Sequence, residues 1–276
     1  MSPLQVFASP EAIQSLTSLN PFGRLPDGRP RVPDDLLQRI ASATTEQVWR
    51  ILRDHGYHHQ FEGGWVQSHP GRVLVGRAVT AVFMPFRPDL DDEVIKGSGR
   101  TGQDRQSVSG QNSWVVDSLI PGDVIVADLF GKIEGGTLVG DNLSTTISRR
   151  SGAGAVIDGA IRDHDGIKRI APLQIFCRGV HPSAIEETTL VGVNLPVRIG
   201  GVTVLPGDVV LGTETGVIFV PPHLADEVAV RSEEVRLRDT FSKARLAEGR
   251  YSALVIDRDW TPDIEEDFRR WRSERK

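Results

Sequence analysis

The segment AVIDGAIRDHDG, residues 155–166, places several ionisable side chains directly after an apolar run. The apolar half predicts a buried strand that ends in an Asp-Gly turn. Asp163 supplies the hard oxygen ligands that Mg²⁺ and Mn²⁺ prefer. Arg162 carries a permanent, planar charge that can grip a carboxylate or keto oxygen. The alternative interpretation is a surface ion pair at a helix start, with Asp163 or Asp165 as the cap.

A second candidate lies earlier in the chain, in the segment GDNLS at residues 140–144. It opens a predicted helix, DNLSTTISRRSG, which Asp141 is predicted to cap through its carboxylate. The unpaired N–H groups of a first helical turn form a seat for a small anion. An ordinary N-cap after a flexible loop is the alternative. Because both segments follow predicted strands, we expect them to share one crevice at the carboxyl edge of a sheet.

Other reactive side chains give weaker signals. His55 and His59 are four residues apart, but a glycine between them interrupts the helix that would align them on a metal. We therefore predict that the histidines of HGYHH are surface residues. His164 and His181 are better placed but belong to no pattern of their own. Cys177, the single cysteine, lies in the apolar run LQIFCRG and is predicted to be a small buried hydrophobe rather than a nucleophile.

The elements that must position these residues predict a mixed α/β fold. Residues 140–220 alternate predicted helices and strands, including a helix over RDHDGIKRIA, as expected for βαβ units followed by a β-meander. A Gly-Gly turn is predicted at 200–201, and Pro-Gly-Asp turns at 121–123 and 206–208. A long, charged amphipathic helix is predicted over 222–248.

Three regions are predicted along the chain. Residues 1–33 form an irregular, proline-rich arm that could wrap a neighbouring subunit. Residues 34–250 form the α/β domain, and residues 251–276 form a C-terminal tail. Within the domain, the polar, glycine-rich segment 86–113 is predicted to be an insert or a lid.

Composition narrows the class of protein. The 276 residues are 39% hydrophobic and 25% charged, with a net charge of -5, which disfavours nucleic acid as a partner. No apolar stretch approaches the ~18 residues of a membrane span, and the N-terminus lacks the pattern of a signal peptide. The chain is therefore expected to be cytoplasmic with no membrane partner, and a single cysteine agrees with that compartment.

The ordered motifs resemble the RraA-like family. They are Gly-Asp-x-Leu at 140–143, Asp-Gly-x-x-Arg-Asp at 158–163, and NLPVRIGGVTVLPGDVVLGTETGVIFVP at 194–221. The family includes class II 4-hydroxy-4-methyl-2-oxoglutarate/4-carboxy-4-hydroxy-2-oxoadipate aldolases and the regulator of ribonuclease E activity. The resemblance implies a swivelling α/β/β domain, assembled as a homotrimer or as a homohexamer of two trimers, with sites at subunit interfaces.

The resemblance also implies the roles of the first set of site residues. Asp163 would hold a divalent metal, Mg²⁺ or Mn²⁺, and Arg162 would position a substrate oxygen and a water. The backbone amides of the Gly-Asp-x-Leu segment would bind the pyruvyl carboxylate of a 2-oxo acid substrate. That segment consists of Gly140, Asp141, Asn142 and Leu143.

An acid from a neighbouring subunit's C-terminal helix completes the site in the aldolases. Asp239 is the best candidate for this acid here, and Glu233 and Glu234 are alternatives. The expected catalytic residues are therefore Arg162, Asp141 and Asp239.

The implied reaction is a metal-dependent retro-aldol cleavage of a 4-hydroxy-2-oxo acid to pyruvate and a second carbonyl product. Oxaloacetate decarboxylation would pass through the same pyruvate enolate. The alternatives are a dehydratase of a related keto acid and a non-catalytic protein-binding regulator, as in family members that inhibit ribonuclease E. Retention of Arg162 and Asp163 beside Asp141 favours the enzyme. The long arm, the insert and the segment LFGKIEGG depart from the family and leave the substrate open.

Overall fold

A mixed β-sheet forms the centre of the fold. The computed structural model describes residues 5–98 and 110–275. Its strands are β1 (Phe61–Glu62), β2 (Val66–Gln67), β3 (Leu74–Pro85), β4 (Asp123–Val139), β5 (Gly154–Ile161), β6 (Gln174–Val180), β7 (Thr188–Val193), β8 (Val197–Ile199), β9 (Val202–Val204), β10 (Val209–Gly212) and β11 (Val217–Val220). The main sheet has the order β1-β11-β10-β3-β4-β5-β6-β2, with β7 paired to β3. The predicted α/β class is confirmed.

Helices pack around this sheet. They are α1 (Pro10–Leu16), α2 (Asp34–Ile40), α3 (Thr45–Asp54), α4 (Pro88–Gly97), α5 (Gln111–Asp117), α6 (Asp141–Ser151), α7 (His164–Ile167), α8 (Ala225–Ala247), α9 (Ala253–Ile256) and α10 (Pro262–Ser273). The predicted long charged helix corresponds to α8 and a short 3₁₀ turn before it. None of the described helices has the length and apolar character needed to cross a bilayer.

The centre of the sheet is parallel, as the predicted βαβ units require. Strands β3, β4, β5 and β6 run side by side in the same direction, with α6 and α7 in the connections. Every residue of β5 is buried, and its sequence is apolar on both faces except at Asp158, which pairs with Arg178 at 2.6 Å. Asp158 and Gly159 lie within β5, so the Asp-Gly turn predicted at the end of this strand is wrong. Parallel strands place their carboxyl ends at one edge, so residues after β4 and β5 become neighbours.

The predicted meander forms two hairpins. Strands β8 and β9 make a separate two-stranded sheet, joined at Gly200, whose φ of 55° suits glycine in a tight turn. Strands β10 and β11 extend the main sheet in the antiparallel sense. These turns were accessible from sequence because their chemistry is local.

The helix predicted over RDHDGIKRIA is wrong in its length. Only His164–Ile167, the four residues of α7, is helical, and Asp163 at its cap position has a φ of 53°. A right-handed helix cannot include a left-handed residue. Arg162 and Asp163 therefore lie before the helix, on the turn that leaves β5.

The N-terminal arm is not irregular throughout, contrary to the prediction. Helix α1 starts after Ser9, whose Oγ accepts a hydrogen bond from the Ala12 N–H at 3.3 Å, and it buries Ile13. Farther along the arm, buried Arg29 pairs with buried Asp123, with Nη1 2.8 Å from Oδ1. The arm thus packs on its own chain, and its contact with a neighbouring subunit stays a prediction.

Part of the predicted insert is a packed helix. Within α4, Val94 and Asp91 are buried. The Asp91 Oδ1 accepts hydrogen bonds from Gln111 Nε2 at 2.8 Å and from Thr189 Oγ1 at 2.9 Å. These bonds fasten α4 to α5 and β7. Residues 99–109 lie outside the described residues, and so does the lid predicted there.

The predicted C-terminal tail contains two helices. Helices α9 and α10 fold back on the distal half of α8, around Phe241. The Phe241 ring centroid lies 5.2 Å from that of Trp260, 5.4 Å from that of Phe268 and 5.6 Å from that of Trp271. Such tilted and edge contacts between aromatic rings give the extension a small apolar core of its own.

Candidate active site

Two neighbouring strand ends bring the predicted residues together. Val139 at the end of β4 is the register partner of Ile161 at the end of β5. Gly140 and Arg162 follow these partners directly. The Arg162 N–H donates to the Val139 carbonyl oxygen at 3.1 Å. The two motifs therefore meet at the carboxyl edge of the sheet, as the sequence predicts.

A cleft of about 180 Å³ opens at these strand ends. The side chains of Arg162 and Asp163 are 45% and 46% exposed, and Arg162 Nε lies 3.4 Å from Asp163 Oδ2. Since neither group is buried or tightly paired, both can bind a ligand that enters from solvent. The cleft is lined by Asn112, Thr137, Leu138, Gly140, Asp141, Asn142, Leu143, Arg162, Asp163, Ala184 and Ile185.

The N-terminus of α6 forms one wall of the cleft. Gly140 occupies the cap position and α6 has no side-chain cap, so the predicted capping role of Asp141 is wrong. The first helical bond runs from the Ser144 N–H to the Gly140 carbonyl oxygen at 3.0 Å. The N–H groups of Asp141, Asn142 and Leu143 precede this bond and have no acceptor within the helix. With the helix dipole they can bind a small anion.

The Asp141 side chain turns towards α7 instead of capping α6. Its backbone is already helical, whereas a capping residue has extended backbone geometry. A Cβ atom placed on Gly166 would lie 2.8 Å from Asp141 Oδ2. The Asp141 carboxylate therefore fills the space between the starts of α6 and α7, within the lining of the cleft.

Gly140 is a glycine because the site leaves no room for a side chain. A Cβ atom there would overlap Asp163 Oδ2 and would lie 3.0 Å from Arg162 Nε. The missing side chain lets the guanidinium and the carboxylate approach the start of α6. The Gly-Asp and Arg-Asp motifs consequently form one site rather than two adjacent ones.

Asp163 has an unusual backbone conformation. Its φ and ψ of 53° and 38° are left-handed, and its carbonyl oxygen accepts from the N–H groups of Gly166 at 2.9 Å and Ile167 at 3.0 Å. This conformation costs about 1–2 kcal/mol in most residues, although Asp and Asn tolerate it best. Such strain is concentrated at functional sites. Here it belongs to the turn that presents the Asp163 carboxylate to the cleft.

The donor chemistry at Asp163 fits a hard divalent cation that keeps several waters. The described residues contain no group of three or more His, Cys, Asp or Glu side chains that could hold a metal ion. Mg²⁺ is usually bound through one or two carboxylates, with water and substrate oxygens completing its shell. A half-exposed carboxylate at the edge of an open cleft meets that requirement.

Asp239 lies away from the cleft of its own chain. It is on α8, where its Oδ2 accepts from Gln47 Nε2 at 3.3 Å, and it is not among the described residues that line the cleft. Glu233 is held by Arg39 through bonds of 2.7 and 3.0 Å. Glu234 also pairs with arginines of its own chain. Unlike Glu233 and Glu234, Asp239 is not held by an arginine in the described part of its own chain. Its action on a neighbouring subunit stays a prediction.

Comparison with known proteins identifies the family. The profile of the RraA-like family, described as Aldolase/RraA, matches residues 38–219. The chain belongs to the RraA-like family. The match contains both cleft motifs and the two hairpins up to residue 219, whereas the whole N-terminal arm and the helices after β11 lie outside it.

RraA-like relatives carry two kinds of name. A Halalkalibacterium halodurans protein, provisionally named 4-hydroxy-4-methyl-2-oxoglutarate aldolase, is 31% identical over 164 residues, covering 58% of this chain and 76% of that protein. A Thermus thermophilus protein named as the same aldolase is 29% identical over 100 residues, covering 36% and 60%. The crystal structure of Streptomyces coelicolor RraAS2, described as an unusual member of the RNase ES inhibitor RraA protein family, has a TM-score of 0.67 at 28% identity, covering 78% of this chain and 100% of that chain.

The other reactive side chains stay outside the RraA-like cleft. His164 follows Asp163, but its Nε2 is buried without a partner in the described ranges, and burial lowers the pKa of the imidazole. His181 bonds to a serine hydroxyl, and His55 pairs with an acid on α8. Burial raises the pKa of the Cys177 thiol to about 12, which confirms the prediction of an unreactive buried residue.

One wall of the RraA-like cleft is formed by residues that belong to no sequence motif. Asn112 at the start of α5, Thr137 in β4 and residues 184–185 line it. Asn112 is buried, and its Nδ2 donates to the Leu138 carbonyl oxygen at 2.6 Å. The Thr137 hydroxyl donates to the Ser183 carbonyl oxygen at 2.7 Å. No motif contains these residues, and a polar residue at the edge of the apolar run SWVV is the one signal for Asn112.

Proposed function

We propose that this RraA-like protein is a divalent-metal-dependent lyase that cleaves a 4-hydroxy-2-oxo acid to pyruvate and a second carbonyl compound. The supporting observation is that Arg162, Asp163 and the free N–H groups of α6 line one cleft. Relatives named as aldolases agree with this class of reaction. The same site chemistry would support oxaloacetate decarboxylation, because loss of CO₂ also leaves the pyruvate enolate.

Each part of the cleft has a distinct role in binding. The N–H groups of Asp141, Asn142 and Leu143 bind the substrate carboxylate. The planar fork of Arg162 holds the 2-oxo oxygen and a water. The Asp163 carboxylate holds Mg²⁺ or Mn²⁺, which when bound supplies Lewis-acid stabilisation of negative charge on substrate oxygen.

Cleavage requires one proton to leave the substrate and one to be returned. The water held near Arg162 accepts the proton of the C4 hydroxyl group. The C3–C4 electron pair moves into the pyruvyl unit, and the C4 oxygen becomes the carbonyl oxygen of the second product. Arg162 stabilises the enolate as its charge develops, and the proton taken up by the water returns to C3 to give pyruvate. Asp239 of a neighbouring subunit completes the site beside this water.

The test is pyruvate release from a panel of 4-hydroxy-2-oxo acids, coupled to lactate dehydrogenase. Release is expected with added Mg²⁺ or Mn²⁺, because the Asp163 carboxylate is itself negative and stabilising the enolate charge at this position requires a cation. EDTA should stop the reaction, and excess metal should restore it. Absence of release from every acid in the panel would reject the proposal. Formation of a dehydrated form of the substrate, instead of pyruvate, would indicate the dehydratase.

A protein-binding regulator is the second candidate. Its support is the likeness to RraAS2, which belongs to a family described as ribonuclease inhibitors. A regulator acts through its surface, so inhibition of a ribonuclease E-type enzyme should survive the substitution Asp163→Asn. A lyase loses its activity on the same substitution, so one variant separates the two functions.

Gly140→Ala is expected to lower catalytic efficiency by about tenfold to a hundredfold, because a shift of about 1 Å in a positioned group costs that much. The added Cβ would displace the Asp163 carboxylate or the Arg162 guanidinium. Steady-state pyruvate release measures the effect. Gly23→Ala is the matched control, since a Cβ there has open space around it. Unchanged efficiency in Gly140→Ala would show that this close approach is irrelevant to catalysis.

Activity should return when two inactive variants share one oligomer. Asp163→Ala lacks the metal carboxylate and Asp239→Ala lacks the proposed neighbouring acid. Random reassembly of equal amounts should restore about a quarter of the sites, since each site draws one half from each of two adjacent subunits. Light scattering verifies trimers or hexamers, and each variant reassembled alone is the control. No recovery in verified mixed oligomers would exclude Asp239 as the shared acid.

A further inference from the structure

The two Pro-Gly-Asp turns of the sequence fold in the same way. The glycines of both turns have positive φ values, 82° and 87°. In the first turn Asp123 Oδ2 accepts from the Ile120 N–H at 3.0 Å, and in the second Asp208 Oδ2 accepts from the Leu205 N–H at 2.9 Å. Both aspartates are buried. The two carboxyl groups therefore form a matched pair within one molecule.

The two aspartates differ in the charge that faces them. Arg29 donates to both oxygens of Asp123, with Nη1–Oδ1 at 2.8 Å and Nη2–Oδ2 at 3.1 Å. Asp208 has no ion pair with any residue in 5–98 or 110–275; the Leu205 N–H is the donor it meets. Burial raises the pKa of Asp208 to about 7. A buried carboxylate without a counter-charge is costly, and a bound cation would offset that cost.

Asp208 lies in the wall of a cavity of about 280 Å³ between the N-terminal arm and the α/β core. Gln60 contributes a second acceptor, because its Oε1 is buried and has no partner within the described chain. Tyr57 and His223 lie in the same wall, with the hydroxyl oxygen 3.3 Å from Nε2. The described lining contains no lysine or arginine. Its apolar part comes from Leu16, Leu19, Leu205, Pro221 and Pro222.

We propose that this cavity binds a small organic cation, an ammonium or guanidinium group on a compact apolar body. The N–H groups of the cation bond to the Asp208 carboxylate, as those of Arg29 bond to Asp123, and to Gln60 Oε1. The apolar body packs on the leucines, the prolines and the ring of Tyr57. The cavity is separate from the cleft at β4 and β5, and its binding function does not depend on the proposed lyase activity.

The cavity is formed partly by residues outside the RraA-like match, so we expect its binding function to be an addition to the common RraA-like fold. Its arm residues, 16–20, precede residue 38, where the RraA-like match begins. Asp208 and the lining residues Tyr57, Gln60, Thr203 and Leu205 belong to the matched part, whereas the lining residues 221–223 follow it. The arm thus places a turn aspartate of the RraA-like domain in the wall of a cavity.

Isothermal titration calorimetry with benzylamine and n-butylguanidine tests the proposal, with benzyl alcohol as the neutral comparison. At about pH 8 the Asp208 carboxyl group is mostly ionised, given its pKa of about 7. Both cations are expected to bind saturably, and benzyl alcohol about tenfold or more weakly, because a charge-assisted hydrogen bond is lost. Equal binding of benzylamine and benzyl alcohol would overturn the proposal.

Asp208→Asn keeps an oxygen for the Leu205 N–H but removes the charge. It is expected to weaken benzylamine binding about tenfold or more while leaving benzyl alcohol unchanged. Glu266→Gln removes an exposed carboxylate on α10 and should bind like the wild type. Gln60→Leu leaves the turn intact and should weaken benzylamine binding about threefold or more, which tests the site even if Asp208→Asn does not fold.

A cationic side chain of a second copy is the other source of such a group. It predicts that Asp208→Asn changes the oligomer size in light scattering and that benzylamine does not bind saturably to the wild type. That combination would overturn a small-molecule ligand, as would wild-type affinity for benzylamine in both Asp208→Asn and Gln60→Leu.

Discussion

Asp163→Asn is expected to lower metal-dependent pyruvate release by about a thousandfold or more, since a metal contributes several kcal/mol to stabilising the transition state. The amide is a poor ligand for a hard cation and carries no charge. Asparagine tolerates the left-handed backbone of Asp163, with its φ of 53°, about as well as aspartate does. Folding should therefore be preserved, whereas alanine at this position would add backbone strain to the lost ligand.

The measurement is the rate of pyruvate release as Mg²⁺ or Mn²⁺ is titrated, with thermal unfolding as a check on the fold. Asp165→Asn is the matched control, because its side chain is 95% exposed and follows Asp163 by two residues. It should retain wild-type activity. An Asp163→Asn variant within about threefold of the wild type at saturating metal would remove Asp163 from the ligand set.

Arg162→Lys is expected to raise the barrier by about 2–4 kcal/mol, the loss typical of deleting one preorganised donor. Lysine keeps the charge but has no planar fork, so it cannot hold the 2-oxo oxygen and the water together. The change should appear mainly in kcat, because the enolate charge exists only as the bond breaks. Steady-state kinetics on the best substrate of the panel measure both kcat and KM.

Arg169→Lys is the control for that substitution, since Arg169 is an exposed arginine shortly after α7 and does not line the cleft. It should behave like the wild type. If Arg162→Lys also keeps a catalytic efficiency within about threefold, Arg162 acts only as a diffuse positive charge. The proposed positioning of the water would then be wrong, although the metal role of Asp163 would be unaffected.

The substitutions Asp163→Asn and Arg162→Lys also distinguish a lyase from a protein-binding regulator, the two functions that the names of RraA-like relatives suggest. Both residues are half exposed in the cleft and contribute little to the apolar core. Loss of pyruvate release without loss of folding would therefore assign the cleft to catalysis. An RraA-like regulator would show no pyruvate release in the wild type and no effect of either substitution on protein binding.

Local chemistry let the sequence predict much of the framework. The apolar run at residues 155–157, the first half of β5, indicates a strand buried on both faces, because a half-exposed strand would alternate. The Pro-Gly-Asp and Gly-Gly turns indicate hairpins through backbone conformations that glycine favours. A helix start after a strand predicts an anion seat at Gly140. These properties depend on neighbours in sequence, so periodicity and turn chemistry are sufficient to identify them.

Tertiary contacts decided how the site is assembled. The close approach of Gly140 to Arg162 and Asp163 arises only when β4 and β5 pair in register. The backbone of Asp163 is left-handed and shortens the predicted helix, because the turn out of β5 overrides local propensity. Asn112 lies in the predicted insert but lines the cleft, and no local sequence pattern predicts that position.

Tertiary contacts also explain why the two ends of the chain differ from their predicted structures. A proline-rich sequence indicates an irregular arm, but packing on the core stabilises α1 and buries Arg29 against Asp123. A short C-terminal segment indicates a tail, but its aromatic residues pack against Phe241 on α8. Residue types and spacing determined which groups are available for chemistry. Contacts between residues far apart in sequence decided which of those groups meet, because the free energy of burial and pairing is realised only in the folded chain.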